Sequence, residues 1–443
     1  MSLRPLRFIH TSDWHLERPI SGVTEAPDAL RSLLCDAPYL AALRVVDAAI
    51  AENVDFLLLA GDILDVELAG PLGTAFLTRQ FARLRERQIA VYWAGGKTDH
   101  PSRWPATIEL PDNVRRFSPR RPEEIVHLRG ETPLARIAGI SRHRSRRVRA
   151  EDFWPDADGL PAIALAHGPI DRAALAGRAM TYWALGGKHA ATTLFDSPHV
   201  AHYCGSPQGR RPKETGARGC TLVEIDDAAR VHTRSLPTDV VRWRQQRIAI
   251  GPATTRESLE CELAEAALAI ADGIETVTPA TRAGATALDS AVPATRAGTT
   301  GISSVISAWV VSWTIAGHGP LIAELRHGPL ATELLTALRR QFGQTTPAVW
   351  SVGLELEAAA AVPHGWFERD SLLGDYLRSL AELETEDGAA LFSNRLASLL
   401  DDSQRTGIGA CVLAETSPTE RLRVLQKAAA LGAELIGSEE TKL

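Results

Sequence analysis

Five carboxylate and imidazole side chains follow short apolar runs in the first two hundred residues of this chain. Asp13 and His15 come after one run, Asp62 after a second, and His167 and His189 after two more. Each run is typical of a buried strand, and the carboxyl ends of strands are where an α/β sheet presents ligands. Carboxylates mixed with imidazoles suit Mn, Fe or Zn better than Mg or Ca. The layout therefore predicts a metal-dependent phosphoesterase.

Each of these residues also has an ordinary structural interpretation. An Asp after a strand commonly caps a helix or forms a turn. A single His at a strand end is more often a hydrogen-bonded structural group than a ligand. The ordered set, rather than any one member, favours a metal site.

The set resembles that of the calcineurin-like metallophosphoesterases, and among them the SbcD-type DNA-repair exonucleases, especially the bacterial YhaO-like branch. The block GSPQGRRPKETGARGCTLV at residues 205–223 is similar to the segment that follows the last ligand in that branch. The resemblance covers roughly residues 6 to 244 and, more weakly, 309 to 357.

The resemblance implies a ligand set. In such enzymes two metal ions share one bridging Asp, activate a water molecule and clamp the scissile phosphate. Carried over to this chain, the first metal would be held by Asp13, His15, Asp62 and His189. The second would share the bridging Asp62 and would use His167.

Two motifs of the second metal depart from the family pattern. The family's Gly-Asn-His-Asp block reads GKTD at residues 96–99, so Lys97 replaces an Asn ligand. In the same block Thr98 replaces the His that usually protonates the leaving group. The Gly-His-x-His block reads GGKH at residues 186–189, so Gly187 replaces a His ligand. His100 lies two residues beyond the lost His, where a side chain normally points elsewhere.

These departures leave two interpretations open. In the first, Gly187 vacates the volume of an imidazole and Lys97 places an ammonium there, which neutralises phosphate as a second cation would. His167 and Lys97 would then contact phosphate or a weakly held second metal. The expected cofactor is one divalent transition metal, Mn first, with Fe or Zn as alternatives. In the second interpretation the site has decayed and the chain is a pseudo-enzyme.

Alternating strands and helices must position these residues. The sequence predicts strands at residues 7–11, 56–60, 89–93, 134–139, 163–167, 182–185, 220–225 and 231–236. Between the first two, Leu40, Leu43, Val46 and Ile50 have helical spacing and are expected to pack on a sheet. The fold class predicted is α/β, in the form of the four-layer sandwich of two mixed sheets that the resemblance implies.

Three regions are expected. Residues 1–244 form the metallophosphoesterase domain. Residues 245–362 form a small α+β capping domain, with a helix at 256–272, strands at 309–315 and 349–357 and a helix at 330–342. A near-repeat poor in large apolar residues predicts a flexible insertion at about 276–302. Residues 363–443 read as a helical C-terminal region, with apolar faces at 372–380 and 391–400.

Composition and charge bound the class of protein. Residues 1–250 carry 34 basic against 29 acidic side chains, whereas residues 251–443 carry 14 against 25. The basic half coincides with the predicted catalytic domain, as a polyanionic substrate would favour. Five scattered cysteines indicate neither a disulfide framework nor a zinc knuckle. With no signal peptide or membrane span predicted, the protein is expected in the cytoplasm.

The leading hypothesis is a phosphodiester hydrolase of the SbcD type acting on DNA ends. Arg210 and Arg211 are candidate contacts to backbone phosphates. The rivals are a non-catalytic DNA-binding or ATPase-partner subunit and a phosphoesterase for small nucleotides. The expected partners are DNA and an SbcC-type ATPase, whose coiled coil would receive the C-terminal helices. A homodimer is left open.

Overall fold

The fold is known from a computed structural model. It describes residues 5–105, 108–142, 147–154, 159–175, 180–196, 199–251, 253–273, 305–317, 320–357, 364–368, 370–384, 425, 428–429 and 432. No helix among these residues is both long and apolar enough to cross a membrane.

Two six-stranded sheets dominate the first half of the chain. The first sheet has the order β12-β11-β1-β2-β3-β4. Its strands are β1 (Leu6–Thr11), β2 (Phe56–Leu59), β3 (Ala90–Trp93), β4 (Val114–Arg116), β11 (Gly219–Ile225) and β12 (Val231–Pro237). Strands β1 to β4 are mutually parallel, and β11 and β12 add antiparallel pairs at one edge.

The second sheet has the order β5-β6-β7-β8-β10-β9. Its strands are β5 (Glu123–Arg129), β6 (Thr132–Ile140), β7 (Ala162–His167), β8 (Tyr182–Gly186), β9 (Thr192–Phe195) and β10 (Val200–Tyr203). Strands β6, β7, β8 and β10 are parallel, while β5 and β9 are antiparallel edges. Each sheet therefore gathers the carboxyl ends of four parallel strands along one edge.

An aromatic core joins the two sheets. Phe8 of β1 stacks on Phe56 of β2 with ring centroids 4.9 Å apart, and its edge meets Tyr182 of β8 at 5.4 Å. Ile163 and Leu165 of β7 are fully buried in the same cluster. Aromatic pairs in such geometry add to the free energy gained by burying apolar area. The contact faces of the sheets are thus fixed by large, fully buried side chains.

Helices flank the sheets on their outer faces. Helices α1 (Asp28–Ala51) and α2 (Val66–Glu86) pack on the first sheet. The short helix α3 (Arg172–Leu175) contributes to the apolar cluster on the outer face of the second. The expected α/β sandwich of two mixed sheets between helices is confirmed.

The sheet-facing side of α1 differs from the expectation. Val46 is buried and Ile50 packs at the edge of the cluster, but Leu43 is only half-buried and Leu40 is 36% exposed. The prediction that Leu40 packs on the sheet is therefore wrong. The buried face runs through Ala41, Ala42, Val45, Val46, Ala48 and Ala49. Alanines let the helix approach closely, so small residues rather than leucines define this face.

The described residues divide into two compact units. The first comprises those within Met1–Arg244, Pro279–Val311 and Gln344–Val352, and the second those within Gln245–Thr278, Ser312–Gly343 and Gly353–Leu443. The first cut falls after residue 244, and the regions expected at 245–362 and 363–443 stay predictions. The insertion expected at 276–302 lies outside the described residues, as does most of the C-terminal region.

Several elements follow β12. They are β13 (Val241–Ile250), α4 (Arg256–Ala271), β14 (Ala308–Gly317), α5 (Pro320–His327), α6 (Leu330–Phe342), β15 (Ala348–Leu356) and α7 (Leu372–Glu384), with the strands in the order β13-β14-β15. Within the second unit Arg256 of α4 donates to Glu260 and to Glu333 of α6. Apolar residues of α4 and α6 are buried, which accounts for the two helices that the sequence predicted.

Two neutral imidazoles are buried within the first unit. His202 contacts the hydroxyls of Thr193 and Thr221, each at 3.0 Å. His10 contacts the Tyr182 hydroxyl at 3.0 Å. Burial lowers the pKa of His202 to about 4 and the pKa of His10 well below its ordinary value. Both side chains are therefore uncharged in the folded protein at neutral pH.

We expect acid to destabilise the protein through these two residues. The unfolded chain protonates His near pH 6.5, whereas folded His202 resists protonation down to about pH 4. Stability is therefore full above about pH 6.5 and falls as the pH drops towards 4, by about 3 kcal/mol for His202 alone. Urea unfolding of His202→Gln between pH 4.5 and 7.5 should show a shallower loss than wild type. The exposed His199→Gln is the control, and equal slopes for wild type and His202→Gln would contradict the assignment.

Candidate functional site

The five residues singled out in the sequence meet at one edge of the two sheets. Asp13 and His15 follow β1, Asp62 follows β2, His167 ends β7 and His189 follows β8. Their donor atoms form two groups that could hold a metal ion. Asp13, His15 and His189 form one group, and Asp13, Asp62 and His167 form the other, with the ligand atoms of each within 4.8 Å of one another.

The backbone of these turns is strained where the ligands are presented. Asp13, His15 and Asp62 have φ of 55°, 45° and 54°, in the left-handed region that non-glycine residues rarely adopt. The turns are braced against each other, because Asp13 N–H donates to Gly61 O at 2.9 Å and His15 N–H donates to Asp62 O at 3.0 Å. Such strain persists only where the surroundings enforce it, and it concentrates at functional sites.

Imidazole Nε2 atoms face the carboxylates. His15 Nε2 lies 3.9 Å from Asp13 Oδ1 and 3.8 Å from Asp62 Oδ2. His167 Nε2 lies 3.5 Å from the same Asp62 oxygen. These separations exceed a hydrogen bond but suit atoms that converge on a shared cation.

The Nδ1 atoms of the three histidines are all occupied elsewhere. His15 Nδ1 contacts Glu17 Oε1 at 3.3 Å, and His189 Nδ1 contacts Glu214 Oε1 at 2.7 Å. His167 Nδ1 donates to the Ala60 carbonyl at 2.8 Å. An acceptor at Nδ1 places the proton there and leaves the Nε2 lone pair free for a metal.

Glu17 and Glu214 are candidate site residues that sequence reasoning missed, since they contact His15 and His189. The Glu17 side chain is fully buried, and its other oxygen accepts from Asp65 N–H. Burial alone would raise the pKa of Glu214, but the hydrogen bonds from His189 and from the Arg210 N–H outweigh it and lower that pKa to about 2. Glu17 lies only two residues after His15, which is a signal that could have been used. Glu214 offered no comparable signal.

Asp62 is held by the backbone of the degenerate block. Its Oδ1 accepts from Lys97 N–H at 2.5 Å, from Thr98 N–H at 2.9 Å and from the Thr98 hydroxyl at 3.3 Å. Burial alone would raise the pKa of Asp62, yet His167, His15 and these N–H groups together lower it. Because Oδ1 is occupied, only Oδ2 faces the imidazoles. Asp13 is the carboxylate that belongs to both metal-holding groups, whereas the resemblance gives the bridging role to Asp62.

Asp99 anchors the turns that present Asp62. Its Oδ1 accepts from Asp62 N–H at 3.0 Å and from Gly96 N–H at 2.5 Å. Its Oδ2 accepts from Ile63 N–H at 3.1 Å and from Trp93 Nε1 at 2.7 Å. A Cβ at Gly96 would lie 2.4 Å from Asp62 Oδ1, so only glycine permits this approach. Gly96 and Asp99, the two residues of the family's Gly-Asn-His-Asp block that this chain keeps, therefore have structural roles.

Lys97, Thr98 and His100 lie in three different environments. Lys97 is exposed, and among the described residues its ammonium has no hydrogen-bond or ion-pair partner. The Thr98 side chain is buried against Asp62. His100 caps a short 3₁₀ turn and contacts the Ser102 hydroxyl at 2.7 Å, which directs its ring to that turn.

Gly187 brings main chain to the place where the family has a His side chain. Its N–H donates to Asp13 Oδ2 at 2.9 Å. Its φ is +99°, and a Cβ there would lie 3.2 Å from His167 Nε2. A side chain at position 187 would therefore begin beside His167 of the second ligand group. The backbone there, however, has a conformation that residues other than glycine rarely adopt.

The two candidate phosphate contacts are in different environments. Arg210 is 5% exposed, and its guanidinium lies against His189. Arg211 is exposed, and its carbonyl accepts from Glu214 N–H. Only Arg210 joins the residues around the two metal-holding groups.

The residues at this edge of the sheets lie in a region that is similar to known proteins. Residues 6–205 match the sequence model of the calcineurin-like phosphoesterase family. A Bacillus subtilis protein described as an uncharacterized metallophosphoesterase, YhaO, is 31% identical over an alignment of 272 residues that covers 58% of this chain. Together these similarities support a relationship between this chain and the calcineurin-like metallophosphoesterase family. The chain spans 66% of the length of YhaO.

A solved dimetal phosphatase from Danio rerio aligns with 53% of this chain and 99% of its own, at 11% identity and a TM-score of 0.33. A similarity of that size says nothing about the function of this chain. Proteins of the matched family hold divalent metals, and the donor set here fits one, since the Nε2 atoms of His15 and His167 face carboxylate oxygens and His189 lies in a group with Asp13 and His15.

We expect Asp99→Asn to destabilise the protein strongly. An amide keeps one acceptor oxygen but turns an NH₂ towards two of the four donors, which then lose their partner inside the protein. The expected loss in unfolding free energy is about 3 kcal/mol, measured by urea denaturation at pH 7. Asp112→Asn, at a carboxylate whose side chain is 85% exposed, is the matched control. A change below about 1 kcal/mol for Asp99→Asn would contradict its anchoring role.

Proposed function

We propose that this chain is a metal-dependent phosphodiester hydrolase of the SbcD type that acts on DNA ends. The observation that carries the proposal is the convergence of three imidazoles with the carboxylates of Asp13 and Asp62, within the residues that match the phosphoesterase family. This donor set favours a transition metal, with Mn as first choice and Fe or Zn as alternatives.

The chain's own residues would divide the work. Asp13, His15, Asp62 and His189 would hold the metal, which when bound supplies Lewis-acid stabilisation of phosphate charge and lowers the pKa of water. Glu17 and Glu214 would keep the two imidazoles oriented and basic. His167, whose Nδ1 is fixed by the Ala60 carbonyl, would contact phosphate or a weakly held second metal through Nε2.

Lys97 would supply positive charge where the second metal is weakened. Its backbone is fixed by the hydrogen bond to Asp62 Oδ1, while its side chain is exposed and its ammonium is unpaired among the described residues. A lysine point charge on a flexible stem can follow a phosphate oxygen. This arrangement favours a site of one metal and one lysine.

The distribution of charge supports a nucleic-acid substrate. Lys97, Lys188, Arg211 and Lys213 are all exposed on loops that follow the strand ends. A polyanion would be attracted to such a rim, and its backbone phosphates would release counterions on binding. The proposal includes DNA as substrate, an SbcC-type ATPase as partner and a cytoplasmic location.

Two further candidates rest on specific observations. The Thr98 side chain is committed to Asp62 and no imidazole stands in its place, which favours a non-catalytic DNA-binding or ATPase-partner subunit. A hydrolase for small nucleotides keeps the same ligands and needs no polymer rim. Metal content separates the first candidate from the proposal, and a substrate panel separates the second.

With Mn, we expect the protein to hold one metal per chain and to hydrolyse linear DNA but not covalently closed circles. Asp62→Asn should abolish both metal retention and hydrolysis, because it removes one of two carboxylates in the ligand set. Elemental analysis after dialysis and gel analysis of the DNA measure the two outcomes, with Asp112→Asn as control. Two retained equivalents would reject the one-metal site. No metal would favour the non-catalytic subunit, and hydrolysis of nucleotides alone would favour the third candidate.

Lys97→Ala should lower hydrolysis without lowering metal content. The loss expected for one charged contact in the transition state is on the order of 10²–10³-fold. Lys97→Arg should retain more activity than Lys97→Ala because it keeps the positive charge. The turnover number and Mn content of each variant are the measurements. Wild-type turnover in Lys97→Ala would reject the lysine mechanism.

A further inference from the structure

Arg210 is a buried cation whose backbone is fixed on both sides. It lies on the loop after β10 and is 5% exposed. Its N–H donates to Glu214 Oε2 at 2.7 Å, and its carbonyl accepts from Ser21 N–H at 3.0 Å. The side chain therefore starts from a position that the fold determines rather than from a free loop.

One terminal nitrogen of the guanidinium packs against a predicted metal ligand. Arg210 Nη2 lies 3.3 Å from His189 Nε2 and 3.5 Å from His189 Nδ1. Because the two distances are nearly equal, Nη2 lies beside the ring and not along the lone pair of either nitrogen. The His189 Nε2 lone pair is therefore left for a metal while the cation stays in contact with the ring.

The other terminal nitrogen has nothing to bond. Arg210 Nη1 is buried and has no hydrogen-bond partner, and the guanidinium has no carboxylate within 4.0 Å among the described residues. Glu214 is the nearest acidic partner of this loop, but its oxygens accept from His189 and from the Arg210 backbone and not from the guanidinium. Buried charges in proteins are usually paired, because an unpaired one loses its hydration without compensation.

The surroundings keep this cation charged. Burial lowers the pKa of Arg210, and the charges of Glu214, Asp13 and Glu17 act in the opposite direction. A guanidinium stays protonated under such opposing influences because its ordinary pKa is far above neutrality. The site therefore contains a permanent positive charge whose Nη1 donors have no hydrogen-bond partner.

We infer that Arg210 Nη1 binds a phosphate oxygen of the phosphoester beside the metal-holding residues, so that Arg210 forms a built-in anion subsite. The inference rests on the proposed function and adds a residue to it. Arg210 would act from the His189 side of the ligand cluster, whereas Lys97 would act from the Asp62 side. Arg211, being exposed, lies outside the subsite.

The test is binding of inorganic phosphate to the full-length protein, measured by calorimetry with Mn content matched across variants by elemental analysis. Arg210→Gln should weaken phosphate binding about 10- to 100-fold, the range for loss of a hydrogen bond to a charged group. Arg210→Lys, which keeps the charge but loses the planar fork, should weaken it less. Arg87→Gln, at an exposed arginine that caps the end of α2 before β3, is the matched control and should change it less than about twofold.

The readout is independent of turnover. Loss of phosphate binding in Arg210→Gln alone supports the subsite even if the wild type hydrolyses nothing, in which case only the proposed function fails. Equal losses in Arg210→Gln and Arg87→Gln, an unchanged Arg210→Gln, or a wild type that binds no phosphate each overturn the inference even if DNA is hydrolysed. Should Arg210→Gln fail to fold by its melting curve, Arg210→Lys decides, and phosphate affinity equal to wild type then overturns it.

Discussion

The carboxylate of Asp99 is the constraint on which the site depends. It accepts four hydrogen bonds, three from backbone N–H groups and one from an indole, and so ties the turn after β2 to the loop after β3. Burial and the nearby Asp62 raise its pKa, and the N–H groups of Gly96 and Ile63 oppose that rise only in part. Without this anchor, Asp62 would lose both the position of its backbone and the N–H groups that orient its side chain.

The three candidate metal-binding histidines differ in the group that contacts their Nδ1 atom. His15 and His189 have glutamates at Nδ1, whereas His167 has a neutral carbonyl. A carboxylate behind an imidazole raises its basicity and strengthens its bond to a metal more than a carbonyl does. The group with the glutamates is also the one whose predicted ligands are all present. The hydrogen bonding and the sequence therefore both favour the group of Asp13, His15 and His189 as the stronger metal position, which stays a prediction.

Sequence reasoning predicted eight of the twelve strands in the two sheets and missed β4, β5, β9 and β10. It also predicted the strand ends at which Asp13, Asp62 and His167 lie, because those signals are local: apolar runs, turns and the residues just after them. It could not predict that Glu214 would reach His189, or that Arg210 would be buried, since both depend on how a loop folds over a distant turn. The helix α1 shows a third limit. Its contact face is set by alanines, whose small side chains carry a weak apolar signal but allow the closest packing.

The loop at residues 96–99 meets Asp62 mainly through main-chain N–H groups, and the side chain at position 97 contributes nothing to that contact. Mutation at that position is thus almost free of folding cost, while Gly96 and Asp99 are not. A metal ligand at this position could be exchanged for a cation, or lost, in a single step that leaves the stability of the fold unchanged. Active and inactive descendants of one ancestor would then share the same melting behaviour, and stability would give natural selection no means of telling them apart.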